Sequence, residues 1–304
     1  MKIKKTISFI LVVLLFIFLF WKIFTDFDQI KNIQWKLDTK DTILLLATLL
    51  LGPFVNTISW HLYTKALGGN ISFLDNSKIW TISNAARFIP GSIWQYAGRV
   101  YLLSQKGVSK TFTTTALVLE AFFNIGGASV IVLLALKLFP LNIPIYIQKG
   151  LFPLVIFLCI VLILLTGSRV KFIEKTIREL LKNDSLKINK IQKRWLPLIA
   201  ISVFTQFLLT GLSLYFISLG LGVNSSAGVI PYIGIYAASW LVGYLTFLAP
   251  SGLGLREASI AGLMSLYVPL ALGSLIAILF RLATLVSEAI MIAVIFVLTR
   301  KKSP

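Results

Sequence analysis

Residues 250–257 read Pro-Ser-Gly-Leu-Gly-Leu-Arg-Glu, and they lie between one apolar run, Trp240 to Ala249, and another, Ile260 to Leu272. Within a bilayer each backbone N–H and C=O must be paired inside the protein, which leaves the helix as the spanning form of such runs. Pro250, Gly252 and Gly254 interrupt that pairing, and Arg256 and Glu257 add charge at the same place. Both are tolerated at membrane depth only where protein or a wet cavity surrounds them. The stretch therefore predicts a membrane helix broken around a substrate-binding cavity. A tight loop at the membrane surface is the alternative.

Composition makes the flanking runs membrane segments. The chain is 57% hydrophobic and 13% charged over 304 residues, whereas soluble domains carry about 25% charged residues. The expected class is an all-α polytopic integral membrane protein. One cysteine, Cys159, excludes an intramolecular disulfide, and one histidine, His61, excludes a His-rich metal site, so no cofactor is expected. His61 is expected near a helix end. The net charge of +18 (29 basic minus 11 acidic) would point to nucleic acid in a soluble protein. Here the basic residues flank apolar spans, as the positive-inside rule requires, and no nucleic-acid partner is expected.

Taken in order, Lys2, Lys4 and Lys5 precede an apolar run from Ile7 to about Phe24. No small-residue cleavage site follows it, so it reads as an uncleaved first span with a cytoplasmic N-terminus. Residues 1–41 comprise that span and an external loop in which four lysines balance four aspartates. A transmembrane domain is expected over 42–299. Its first half, 42–138, holds a span from Thr42 to Tyr63, a broken segment from Ile79 to Ser104 and a span from Phe112 to Leu138. The broken segment contains Arg87, Pro90, Gly91, Ser92 and Arg99; the following span carries Glu120 and Asn124 one turn apart. Lysines on both sides of the broken segment place both its ends in the cytoplasm, as in a re-entrant helix pair; a broken interfacial helix is the alternative.

A span at 151–166 and a cytoplasmic loop at 167–195 link the halves. The loop holds nine basic residues against three acidic ones, a net of +6. Val170, Ile173, Ile177 and Leu180 recur there at helical spacing, with Lys171, Lys175, Arg178 and Lys182 on another face. That pattern fits an amphipathic helix on an anionic leaflet or an ordinary basic loop. The second half, 196–299, holds a span from Leu196 to Leu219, an external turn at 222–226, the broken segment from Ile230 to Tyr267, and a span from Leu272 to Thr299 carrying Arg281 and Glu288. Residues 300–304 form a cytoplasmic tail. The sum is about six full spans and two broken segments.

Each half thus has a span, a segment broken by Pro-Gly chemistry with an Arg after the break, and a span with a Glu. Loop charges make the two broken segments enter from opposite sides, the arrangement of an inverted repeat whose broken helices meet near the bilayer midplane. Half-helices would start after each break, with Ser92 and Ser251 or Gly252 as N-caps. Their free N–H groups and the nearby guanidinium groups suit a phosphate. Glu120, Glu257 and Glu288 are available to pair with Arg256, Arg281 or Arg99, or to couple protons; Glu288 with Arg281, seven residues apart on one face, is the expected structural pair.

At these residues the sequence resembles the flippase-like transmembrane family named for the membrane region of lysylphosphatidylglycerol synthase. Arg87-Phe88-Ile89-Pro90-Gly91 with Gly98-Arg99, then Glu120, and Pro250-x-Gly252-Leu253-Gly254-x-Arg256-Glu257 carry the likeness, over roughly residues 42–299. The second motif is the more specific. The resemblance implies translocation of a lipid head group, or handling of lipid-linked sugars beside a separate lipid synthase or glycosyltransferase. Synthase members carry a soluble aminoacyl-transferase domain after the membrane region; the sequence ends at Pro304, so aminoacyl-lipid synthesis is not expected.

Three functions compete. The leading one is translocation of an anionic phospholipid or polyprenyl-phosphate glycolipid at the cell membrane, without catalysis. The second is a membrane-embedded polyprenyl-phosphate sugar transferase, for which Asp26 and Asp28 are the supporting carboxylates. The third is secondary transport of a small soluble anion, which an inverted repeat also permits. No Gly-x-x-x-x-Gly-Lys-Ser/Thr motif of a nucleotide pump occurs.

Overall fold

A computed structural model of the chain describes residues 2–31, 33–89, 93–138, 191–223, 228–246 and 250–300. The expected span at 151–166, the basic loop up to residue 190 and the site residues Pro90, Gly91 and Ser92 lie outside the described residues.

The described residues form nine helices and no strand: α1 Lys2–Thr25, α2 Thr39–Ala66, α3 Phe73–Ala85, α4 Trp94–Ser104, α5 Lys110–Leu138, α6 Leu196–Gly220, α7 Ile230–Leu245, α8 Leu255–Met264 and α9 Leu270–Arg300. Local chemistry sets their starts. Asp38 accepts from the Asp41 N–H at 2.7 Å ahead of α2, and Ser72 accepts from the Asp75 N–H at 3.1 Å ahead of α3. The first broken segment therefore begins at residue 73 rather than 79, because the Ser72 cap opens the helix a turn and a half earlier than hydropathy alone implies.

Four apolar helices, Thr39–Ala66, Lys110–Leu138, Lys193–Gly220 and Leu270–Thr299, are long enough to cross a membrane. At 1.5 Å per residue each exceeds the roughly 30 Å hydrocarbon core. Their outer faces are greasy: Leu282, Val286, Ile290, Val294 and Val297 form one exposed stripe along α9. Polar groups turn inward instead. Ser59 on α2 meets Ser202 on α6 at 2.9 Å, and Ser213 on α6 meets Thr48 on α2 at 3.0 Å. Gly211 on α6 lies so close to α7 that a methyl there would stand 2.6 Å from the Ile233 Cα. Small residues and buried hydroxyls hold membrane helices together where lipid supplies no hydrophobic drive.

Pro53 sits inside α2 and has no N–H to offer the carbonyl of Leu49, one turn earlier. The Ser287 hydroxyl of α9 donates to that carbonyl instead. The sequence break in α2 is thus repaired by a neighbouring helix, as an unpaired carbonyl in hydrocarbon demands.

Contacts at the helix ends order the bundle. The Lys36 N–H donates to the Gly220 carbonyl at 2.8 Å, and the Gln192 N–H donates to the Ala66 carbonyl at 2.8 Å. So α2 and α6 run antiparallel, with residues 36 and 220 at one end and 66 and 192 at the other. Lys106, just after α4, meets Asp75 of α3 at 2.5 Å. Both ends of the first broken segment therefore lie together, at the end that holds residues 66 and 192. The second broken segment starts at the opposite end, where α6 finishes, and Tyr232, Met264 and Val268 share one apolar cluster with Leu221 and Leu37. In the first loop Asp26 faces Lys22 at 2.5 Å and Asp28 faces Lys31 at 2.7 Å. His61, five residues from the end of α2, shares a hydrogen bond with Asn76 at 3.0 Å.

Candidate functional site

After α7 the chain re-forms as a single 3-10 turn over Pro250–Gly252 before α8 starts. Ser251, Gly252 and Gly254 all take positive φ, at 56°, 67° and 78°. Such φ values are open to glycine and strained for serine. The run of left-handed residues postpones helix entry, so the N-cap of α8 is Gly254, not Ser251 or Gly252. After the first break the N-cap of α4 is Ile93, with no side-chain cap, so the position expected for Ser92 falls one residue later.

Glu257 lies in the first turn of α8, is 1% exposed, and accepts from the Gly254 N–H at 2.6 Å. Its carboxylate therefore stands at the positive end of its own helix. One N–H that the sequence reading left free for a ligand is taken. Glu257 also faces Arg281 of α9 at 3.2 Å. The charges attract there without the alignment of a hydrogen bond, for Arg281 Nε and Nη2 have no hydrogen-bond partner among the described residues.

Two further ion pairs complete the site. Arg99 of α4 is 2% exposed; it donates to Glu120 of α5 at 2.6 Å and to Ser83 of α3 at 3.2 Å. The face of its guanidinium group lies 4.3 Å from the Trp60 ring. Arg87, in the 3-10 turn that follows α3, pairs with Glu288 of α9. Phe88 lies between Arg87, at 4.9 Å, and Arg281, at 5.7 Å. The expected Glu288–Arg281 pair is thus not the one formed. Seven residues along a helix is about 10 Å of rise, too far for direct contact, and each residue takes its partner from another element.

Arg256 differs from the other three. Among the described residues no carboxylate lies within ion-pair distance of it, and its buried Nε has no hydrogen-bond partner. Its guanidinium lies 5.9 Å from the Trp240 ring. Its stem runs through space that only glycine leaves open: a methyl at Gly243 would collide with the Arg256 side chain, and one at Gly252 would stand 2.8 Å from the Gly243 Cα. Two unlinked glycines, one on α7 and one in the turn, thus let the backbones close up and aim Arg256.

The charged groups line one cavity of about 180 Å³, to which every helix from α2 to α9 contributes. Its described lining includes Arg87, Arg99, Arg256 and Arg281 with Glu120, Glu257 and Glu288. Four cations against three anions leave a net of +1, and Arg256 is the unmatched one. Asn124 also lines the cavity; its amide donates to the Glu120 carbonyl at 2.9 Å and its oxygen accepts from Gln206.

Sequence reasoning thus named all seven charged residues of the lining, and the structure brings them together from both halves. Of the uncharged lining residues it named Asn124 and Ser251 and missed the rest. Gln206 stands alone as an amide in the apolar span of α6, a signal of the kind that marks intramembrane function. Trp240 and Tyr244, stacked at 4.5 Å and 15°, and Tyr96 looked like ordinary membrane aromatics. No sequence signal distinguishes Gly243 from a packing glycine. Among the described residues no group of His, Cys, Asp or Glu could hold a metal ion.

Residues 6–291 match the model of the family described as lysylphosphatidylglycerol synthase TM region. No curated protein matches the chain.

Proposed function

This chain belongs to the lysylphosphatidylglycerol synthase TM-region family, and on that premise we propose that it carries the head group of an anionic phospholipid or lipid-linked sugar across the cell membrane. The observation that carries the reading is the unmatched Arg256 in a polar cavity inside an apolar bundle. A desolvated cation without a counter-ion is costly, and a ligand phosphate removes that cost. A guanidinium group grips phosphate oxygens in bidentate fashion.

The two broken segments act as re-entrant pairs of opposite orientation, an inverted repeat in which both segments contribute to the cavity. Their starts at opposite ends of the bundle support this reading. The three ion pairs hold the cavity walls, and Arg256 takes the ligand. The termini lie in the cytoplasm, and a separate lipid synthase or glycosyltransferase supplies the substrate. The protein itself carries out no bond chemistry.

The test is translocation in proteoliposomes. A fluorescent phosphatidylglycerol is followed by quenching from outside, for wild type and Arg256→Gln. At least a tenfold slower rate is expected in the variant at equal protein incorporation. Full activity in both Arg99→Ala and Arg256→Ala removes the site assignment. Uptake of radiolabelled phosphate or sulfate without any lipid movement replaces the reading with soluble-anion transport.

A further inference from the structure

We propose that the translocated head group is a phosphodiester of single negative charge that bears an uncharged, hydroxylated moiety, with the phosphate on Arg256 and the hydroxylated moiety against Trp240 and Tyr244. The inference rests on the translocator reading and narrows its substrate.

Charge comes first. The described lining holds four arginines and three glutamates and no lysine, aspartate or histidine. Each glutamate already faces an arginine. A ligand that leaves the desolvated site neutral brings one negative charge, since an uncompensated charge at membrane depth is expensive in either direction. A phosphodiester carries that charge. A phosphomonoester or a diphosphate carries more, and its surplus finds no cation. A zwitterionic head brings an ammonium group, and every carboxylate in the described lining is occupied.

Unpartnered donors on the lining residues point the same way. Arg256 Nε, Arg281 Nη2, Arg87 Nε and Ser251 Oγ are buried without a hydrogen-bond partner among the described residues, and all four residues line the cavity. These groups seek acceptor oxygens. The Gly254 N–H at the mouth of α8, by contrast, is capped by Glu257 and is not offered to the anion.

The wall beside Arg256 is aromatic. Trp240 and Tyr244 stack with ring centroids 4.5 Å apart, and Tyr96 lines the same cavity. Indole and phenol rings give an apolar face with polar edges, which suits the C–H faces and hydroxyl rims of a sugar or polyol. The neutral amides Asn84, Gln95 and Gln206 add hydrogen-bonding groups to the same lining without adding charge.

Purified protein in mild detergent is offered an equimolar mixture of phosphatidylglycerol, a polyprenyl-phosphate hexose, phosphatidylethanolamine, phosphatidic acid and a polyprenyl-diphosphate hexose. Bound lipid is quantified by native mass spectrometry. Phosphatidylglycerol or the polyprenyl-phosphate hexose, whichever is the source of the head group, is expected to be retained at least tenfold over the other three classes. In Arg256→Gln that preference falls to less than twofold. Trp240→Leu lowers retention of the preferred lipid about tenfold while phosphatidic acid changes less than twofold. Preference for the diphosphate lipid or phosphatidic acid overturns the single-charge assignment and leaves the translocator reading intact. Equal losses for all lipids in Trp240→Leu overturn the aromatic platform. No anionic lipid retained above phosphatidylethanolamine in wild type brings down both.

Discussion

A methyl group at Gly243 has nowhere to go except into the stem of Arg256. Gly243→Ala is therefore expected to move the guanidinium group off its place while leaving the surrounding helices packed. The measurement is head-group translocation beside thermal stability: a drop of at least fivefold in rate with a melting shift below a few degrees fits, and unchanged translocation removes the glycine's role in aiming Arg256. The opposite pattern belongs to Arg99. It is buried against Glu120, Ser83 and Trp60, and truncation leaves a carboxylate without its counter-ion, a loss of about 3 kcal/mol. Arg99→Leu should therefore melt well below wild type in detergent, and Arg99→Leu with Glu120→Leu should recover much of the difference. A double variant no better than the single one means that the pair is not what Arg99 contributes. Both arginines were legible in the sequence as intramembrane charges, but their division of labour was not. Which arginine is satisfied depends on carboxylates that arrive from other helices, and no local spacing encodes that.

Elements show the same division between what a local pattern states and what tertiary contact decides. The helix breaks could be read directly, because Pro and Gly remove hydrogen bonds wherever the chain goes. Their repair could not. Pro53 leaves the Leu49 carbonyl without its helical donor, and Ser287, more than two hundred residues away, supplies the missing hydrogen bond. Ser287→Ala is expected to lose about 1–3 kcal/mol for an unpaired carbonyl in an apolar setting. Pro53→Ala restores an N–H one turn from Leu49, so in the Ser287→Ala background it should restore stability, whereas in wild type it should change little. A thermal double-mutant cycle reads the coupling; strict additivity of the two changes means that Ser287 does not act through that carbonyl. The N-cap of α8 was misplaced for a related reason. Serine and glycine are both acceptable caps, and only the positive φ values of Ser251, Gly252 and Gly254 push the start of the helix downstream.

At the scale of the whole molecule, the placement of the two broken segments decides whether substrate can be handed from one side of the membrane to the other. Loop charges predict opposite entry. Asp75 and Lys106 close the first segment at the end that holds Ala66 and Gln192, while Met264 and Val268 of the second share an apolar cluster with Leu221 and Leu37. Spans alone would leave a bundle with no path; two breaks entering from one side would make a pocket open to that side. The proposed opposite entry would give each half of the route one re-entrant segment. Gln105 and Ser265 are both exposed and directly follow α4 and α8. In a background with Cys159 replaced, Gln105→Cys should react with a membrane-impermeant maleimide only after the cytoplasmic side is opened, and Ser265→Cys should react in intact cells. Labelling of both from the same side contradicts opposed entry and with it the inverted repeat. A translocator would then have to open the bundle itself, since the cavity would communicate with one leaflet alone.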